Sequence, residues 1–256
     1  MKSFTFHSYK GGTGKTFMSI SLALLYAKRG SKVCLLDFDF RAPSLNAFFD
    51  IPRPKFTVNQ LVDGQCEVDS VIADATKEFS LPGKLYVGFA DSSTEGISEV
   101  TAKDRKWQMK SLRFINRSLQ TLSDKHEVDY VIFDSSPGFQ YSSINAILSS
   151  DVAVLVTTPD RADMSGTSEL IRGVYETLER RTGIMLNKVP TGGPSIGLDS
   201  GIVEKFSSSF KLPIIEVIPC SCEIVMRTDK SFFVLEHPDH PIVKTLNSAA
   251  DKLEKF

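Results

Sequence analysis

Cysteine is scarce in this 256-residue chain. Its four thiols, Cys34, Cys66, Cys220 and Cys222, are too few and too scattered for a disulfide scaffold and fit a reducing compartment. No apolar run approaches the roughly 18 residues that a membrane-spanning helix needs, and no apolar stretch of signal-peptide length precedes Lys10. A cytoplasmic protein is therefore expected. Excess charge is missing too: 30 basic and 31 acidic residues leave a net charge of −1 and a pI near 6.4. That balance excludes a global field for a polyanionic partner and leaves only local patches for such a role. Pro- or Ser-rich linkers and internal repeats are absent, so one domain over residues 1–256 is expected.

What is present is an alternation of elements. Strand-like runs fall at 3–8, 32–37, 84–90, 129–134, 151–157, 184–189 and 213–218, mostly as continuous apolar stretches. Continuous runs mean burial on both faces. Helical patterns lie between most of them, at 15–29, as a pair around 58–75, and at 105–125, 142–149, 164–181 and 201–208. The order predicts an α/β fold: a doubly wound, mostly parallel β-sheet with helices on both faces. Ligands of such sheets bind beyond the carboxyl ends of the strands. The chain's chemistry-bearing residues fall at that edge.

Residues 10–16 read Lys-Gly-Gly-Thr-Gly-Lys-Thr, directly after a β-prone run and directly before a helical one. Glycines there let the backbone aim its N–H groups at an anion, and the helix N-terminus adds unpaired donors and positive dipole. Lys15 would reach the β- and γ-phosphates of a nucleotide and Thr16 would ligate Mg²⁺. The strict phosphate-loop pattern would place glycine at position 9, where this chain has Tyr9, followed by a second lysine, Lys10. Asp134 closes the apolar run Tyr-Val-Ile-Phe-Asp, the pattern of a strand-tip acid that holds Mg²⁺. At 184–190 the run Ile-Met-Leu-Asn-Lys-Val-Pro sets Asn187 and Lys188 at a strand tip. A guanine reader of the Asn-Lys-x-Asp type would need an aspartate where Pro190 stands, so the amide of Asn187 favours adenine.

The loop at 10–16 resembles the deviant Walker A signature of the MinD/ParA family of P-loop ATPases. The resemblance extends to the Asp-x-Asp of 37–44, similar to the family's switch I, and to Ser135-Ser136-Pro137-Gly138, similar to its switch II. It implies a P-loop NTPase fold, ATP and Mg²⁺ as cofactors, and hydrolysis to ADP and phosphate. Nucleotide contacts then fall to Lys10, Gly11, Gly12, Thr13, Gly14, Lys15, Thr16 and Phe17, with catalysis by Lys10, Lys15 and Asp39. Metal binding falls to Thr16, Asp39 and Asp134. Asp39 is expected to position the attacking water, and Lys10 to cross to the ATP of a partner in a homodimer with ATP sandwiched between subunits. The segment from Ile218 to Val234 resembles the family's adenine-wrapping loop and places Pro219 and Ser221 at the base, although Cys220-Ser221-Cys222 departs from the acidic residue common after that proline.

The expected function is a nucleotide-controlled dimerisation switch in spatial positioning, for division-site selection or for partition of DNA or other cargo. Its activator or cargo protein is unknown. The alternative is an iron–sulfur carrier or assembly ATPase, for which Cys220 and Cys222 from two subunits could supply four thiolates. A small-molecule kinase or ligase would need a second substrate pocket that the sequence does not display. Six cations against one acid at 103–117 lie opposite a buried stripe of Leu112, Ile115, Leu119 and Leu122. That face is expected to be a solvated basic one, with non-specific DNA, peripheral contact to an acidic membrane, or an acidic partner as the alternative. The amphipathic run 242–256 is expected to pack on the sheet.

Overall fold

The computed structural model describes residues 1–190, 200–221, 223–224 and 232–256. Cys222, most of the loop at 190–201 and residues 225–231 of the 218–234 segment thus lie outside the described residues.

Seven strands form the parallel part of the sheet: β1 (Lys2–His7), β2 (Lys32–Phe38), β4 (Lys84–Gly88), β5 (Tyr130–Ser135), β6 (Val152–Thr157), β7 (Arg181–Val189) and β8 (Ile214–Pro219). Each lies within three residues of its expected place. An eighth, β3 (Ile72–Asp74), pairs antiparallel with β4. The spatial order is β3-β4-β2-β5-β1-β6-β7-β8. The chain starts in the middle, winds outward to one side and then to the other, so β1 and its two neighbours form the switch point where such sheets open a crevice.

One face carries α1 (Lys15–Lys28), α10 (Phe233–Glu236) and α11 (Pro241–Lys255). Alternation along β1 shows why: Phe4 and Phe6 point into the cluster built on α1, while Thr5 points the other way and donates to the Ala146 carbonyl at 2.8 Å. Tyr26 of α1 stacks on Tyr130 with 4.2 Å between centroids, and its hydroxyl donates to the Ala250 carbonyl. Ile242, Val243, Leu246, Ala249, Ala250 and Leu253 of α11 are buried in the same core, so the C-terminal amphipathic stretch packs on the sheet.

The opposite face carries α3 (Val58–Val62), α5 (Arg105–Asp124) and α6 (Tyr141–Ser149) on one half, and α7 (Arg161–Leu170) with α9 (Ser200–Phe210) on the other. Asp104 caps α5 by accepting from Trp107 N–H, and Ile115, Leu119 and Leu122 are buried against the sheet, with Leu112 partly so.

Three expectations required correction. The helix pair at 58–75 is a five-residue α3, a turn at Gly64 with φ +75°, a short 3₁₀ turn, and then β3. A three-residue edge strand is shorter than a hydrophobic period can reveal. The helix read at 164–181 begins earlier, at Arg161, where Asp160 caps it, and widens into a π turn at Ile171–Tyr175. It ends after α8 (Glu176–Leu178), because Glu179 takes φ +49° and Arg181 already belongs to β7. Two short helices, α2 (Leu45–Phe48) and α4 (Thr94–Thr101), were not foreseen.

Candidate functional site

The loop after β1 turns through Gly12 at φ +77° and Gly14 at φ +100°, where a side chain would be strained. A Cβ on Gly14 would also run into the amide nitrogen of Asn187. The turn delivers the chain into α1, whose N-terminus has no side-chain cap. Its free N–H groups border a cavity of ≈ 450 Å³ lined by Gly11, Gly12, Gly14, Lys15, Thr16 and Phe17 on one side, and by Asp39, Arg41, Ala42, Ser44 and Pro137 on the other. The strand-end loops of β1, β2 and β5 therefore meet where the topology opens.

Lys15 is only 6% exposed, and its Nζ donates to Ser8 Oγ at 2.9 Å; that hydroxyl in turn donates to the Lys10 carbonyl at 2.7 Å. Burial lowers the lysine's pKa, while Asp134, Asp39 and Asp163 oppose the shift. An incoming anion of several charges is what this desolvated ammonium lacks.

Two carboxylates lie side by side beneath it, since Asp37 of β2 and Asp134 of β5 are in register. Burial first, and then Asp134, raise Asp37 well above the usual carboxylate range, although its two oxygens accept from the backbone N–H groups of Asp39 (3.0 Å) and Leu45 (3.3 Å). Asp37 braces the turn that follows it. Asp39 is the member of the pair that lines the cavity, and its Oδ1 accepts from Ser136 Oγ at 2.8 Å and from Ala42 N–H at 3.1 Å. Asp134 is fully buried, and burial pushes it up to about 6 against the pull of Thr16, Lys15 and Ser19. Its Oδ1 accepts from Ser19 Oγ at 3.2 Å, but Oδ2 has no hydrogen-bond partner. A buried, partnerless carboxylate oxygen in a site with a threonine hydroxyl suits a hard divalent cation, held directly or through water. Thr16 Oγ1 is 3.2 Å from Ser44 Oγ, so the two candidate metal-facing loops already touch.

Lys10 lies apart from the other loop residues. It does not line the cavity; its Nζ turns outward onto Asp160 Oδ1 at 2.8 Å, with both side chains substantially exposed. The hydrogen bond to Asp160 raises its pKa and keeps it cationic.

Asn187 and Lys188 are tied to the loop. Asn187 Nδ2 donates to the Thr13 carbonyl and Lys188 Nζ to the Gly12 carbonyl, both at 2.7 Å. Lys188 adopts φ +56°, and the β7/β8 pairing loses its regular register between Leu186 and Val189. The bulge turns the strand tip onto the loop, storing local strain beside the site. Thr13 is buried; its carbonyl serves the scaffold and its hydroxyl has no partner. Pro219 and Ser221 are not among the cavity-lining residues. Sequence reasoning missed Ser8, Arg41, Ser44 and Ser136. Their one signal was position, next to the glycine loop or in the two switch-like runs.

A family model described as an AAA domain matches residues 1–187. An uncharacterised ATP-binding protein of Methanocaldococcus jannaschii is 25% identical over 96% of this chain and 85% of its own length. The septum site-determining protein MinD of Synechocystis is 26% identical over 87% of this chain and 77% of its own. Among solved structures, the cell division ATPase MinD of Pyrococcus furiosus superposes with a TM-score of 0.75 at 22% identity, covering 99% and 98% of the two chains. An McdA–ATP complex from Cyanothece superposes at 0.78 and 18%, covering 100% and 97%.

Proposed function

Because the chain belongs to the AAA domain family and, within it, to the MinD/ParA group of P-loop ATPases, we propose that it is a Mg²⁺-dependent ATPase whose ATP state pairs two copies of the chain. The pairing would act as a positional switch, in division-site selection or in partition of a cargo. The observation that carries the reading is the direction of Lys10: a cationic side chain on the rim of a phosphate loop that points away from its own cavity. A cation so placed serves an anion outside its own chain, and a facing copy of the same cavity supplies one.

In this reading the glycine-loop N–H groups and Lys15 hold the phosphates, and the Asn187 and Lys188 contacts keep that loop in shape. Thr16, Asp39 and Asp134 would hold Mg²⁺, which supplies charge neutralisation of the phosphates when bound. Asp39, clamped by Ser136, keeps one carboxylate oxygen available to orient a water. Asp39→Ala should slow hydrolysis and trap the paired state. Light scattering is expected to give twice the monomer mass with Mg-ATP and the monomer mass with Mg-ADP. One mass under both conditions would remove the switch.

Asp134 must be ionised to help hold the cation. Below pH about 6, where its carboxyl takes up a proton, the Mg²⁺ requirement for nucleotide binding should rise by about tenfold per pH unit. A fluorescent nucleotide titrated with Mg²⁺ from pH 5 to 8 checks this; a flat profile would move the metal off Asp134. The relatives do not favour an iron–sulfur carrier: they are ATP-binding and septum-site proteins, and of the cysteine pair only Cys220, exposed after β8, is described.

A further inference from the structure

Among the described residues the exposed large hydrophobics are Met1, at the chain start, and four others: Tyr9, Met109, Phe139 and Tyr141. Two hydrogen bonds join the segments that carry those four. Gly138 N–H donates to the Ser8 carbonyl at 2.9 Å, which joins the chain segments of Tyr9 and Phe139, and both rings lie against the stretch from α7 to the π turn, at Gly166 and Gly173. Asn145, one turn after Tyr141, donates to the Gln108 carbonyl at 2.8 Å, which sets the start of α6 against the turn of α5 that carries Met109. Met109 is 63% exposed and Phe139 53%. Lys106, Lys110 and Arg113 flank Met109 at helical spacing on the same exposed face, and among the described residues none of the three has an ion-pair partner.

We infer that this surface, from Phe139 across Tyr141 and Met109 to the cations of α5, docks an acidic segment of a partner protein that carries apolar side chains on one face. Methionine, aromatics and arginine are the residues enriched where proteins meet proteins, and a flanking set of unpaired cations selects a partner rimmed by carboxylates. A DNA duplex would use the cations and leave Met109 and both rings without a counterpart. The Phe139 ring lies against the π turn, close enough that a Cβ on Gly173 would touch it at 3.4 Å. Such a ring offers a face for packing and does not project for insertion among lipid chains. The inference goes beyond the ATPase reading and does not need it, since it concerns the nucleotide-free chain.

The probe is a fluorescein-labelled designed helix of about 16 residues, Leu and Phe on one face and Glu on the other, with a Lys-for-Glu version as control. Fluorescence anisotropy against the full chain without nucleotide should show saturable binding of the Glu helix and none of the Lys helix. The double variant Lys106→Glu/Lys110→Glu should weaken it by about tenfold or more, and Met109→Ser/Tyr141→Ser by about tenfold, with thermal melting as the check that both fold. Three results would overturn the inference: no saturable binding, binding indifferent to both variants, or binding of duplex DNA or phosphatidylglycerol vesicles that the same variants abolish while the Glu helix fails to bind. Loss of ATP turnover in a separate assay would bear on the ATPase reading alone.

Discussion

Lys10→Ala should lower ATP turnover by about 10³-fold, the order that a cation supplied in trans contributes to phosphoryl transfer, while nucleotide binding to the isolated chain stays within a few-fold of the parent. The two halves of this result come from one geometric fact. Lys15, buried under the loop and bonded to Ser8, belongs to its own cavity; Lys10, paired with Asp160 at the surface, does not. A surface ion pair exchanges readily for a stronger anion, so Lys10 is available once a phosphate chain comes within reach. Phosphate release measures the first half, and titration of a fluorescent nucleotide at protein concentrations below pairing measures the second. Unchanged turnover, or loss of binding by the lone chain, would place Lys10 in its own site.

Asp134→Asn is expected to push stability and function in opposite directions. Burial holds the folded carboxyl near 6 against 3.8 in an unfolded chain, so the folded state keeps its proton more tightly. Stability contributed by this group is therefore greatest below about pH 4 and is lost as pH climbs to about 6; at pH 7 the ionised, buried carboxylate, with one oxygen unpartnered, costs roughly 3 kcal/mol. Asparagine removes the charge and returns part of that cost. The metal-free variant should melt about 3 to 6 °C above the parent at pH 7.5, with the gap closing at pH 4. Its Mg²⁺ affinity in the presence of nucleotide should fall on the order of 100-fold. Calorimetry at the two pH values and a Mg²⁺ titration test both. A variant that melts lower at pH 7.5 would mean that Asp134 is a structural brace.

Much of this was readable from the chain because both signals are local. Continuous apolar runs placed all seven parallel strands, and the glycine loop fixed which strand comes at the switch point. The Asp-x-Asp pair was ambiguous in sequence, since either acid could face the ligand. β2 ends at Phe38, and the turn after it keeps Asp37 beneath, bonded to the N–H groups of Asp39 and Leu45, and leaves Asp39 to the cavity. What escaped were features set by tertiary contact. Asn187 looks like a free reader of a base, yet its amide meets the Thr13 carbonyl across 174 positions of chain. The π turn at 171–175 has ordinary helical residues; its Tyr175 hydroxyl sits 2.7 Å from Nδ1 of buried His7, a partner that periodicity cannot see.

The margins of the sheet constrain how two copies can meet. A bare strand edge invites a second chain to continue the ladder, an open-ended mode of growth. Here one margin is β3, three residues long and running against its neighbour, so it offers little backbone to extend. At the other margin Glu216 of β8 turns its carboxylate onto Ser248 and Lys252 of α11, and the helix lies along the strand. With both lateral routes blunted, the pairing proposed above is left the loop end of the sheet, where a contact between two like faces would close at two copies and give fibre growth no template.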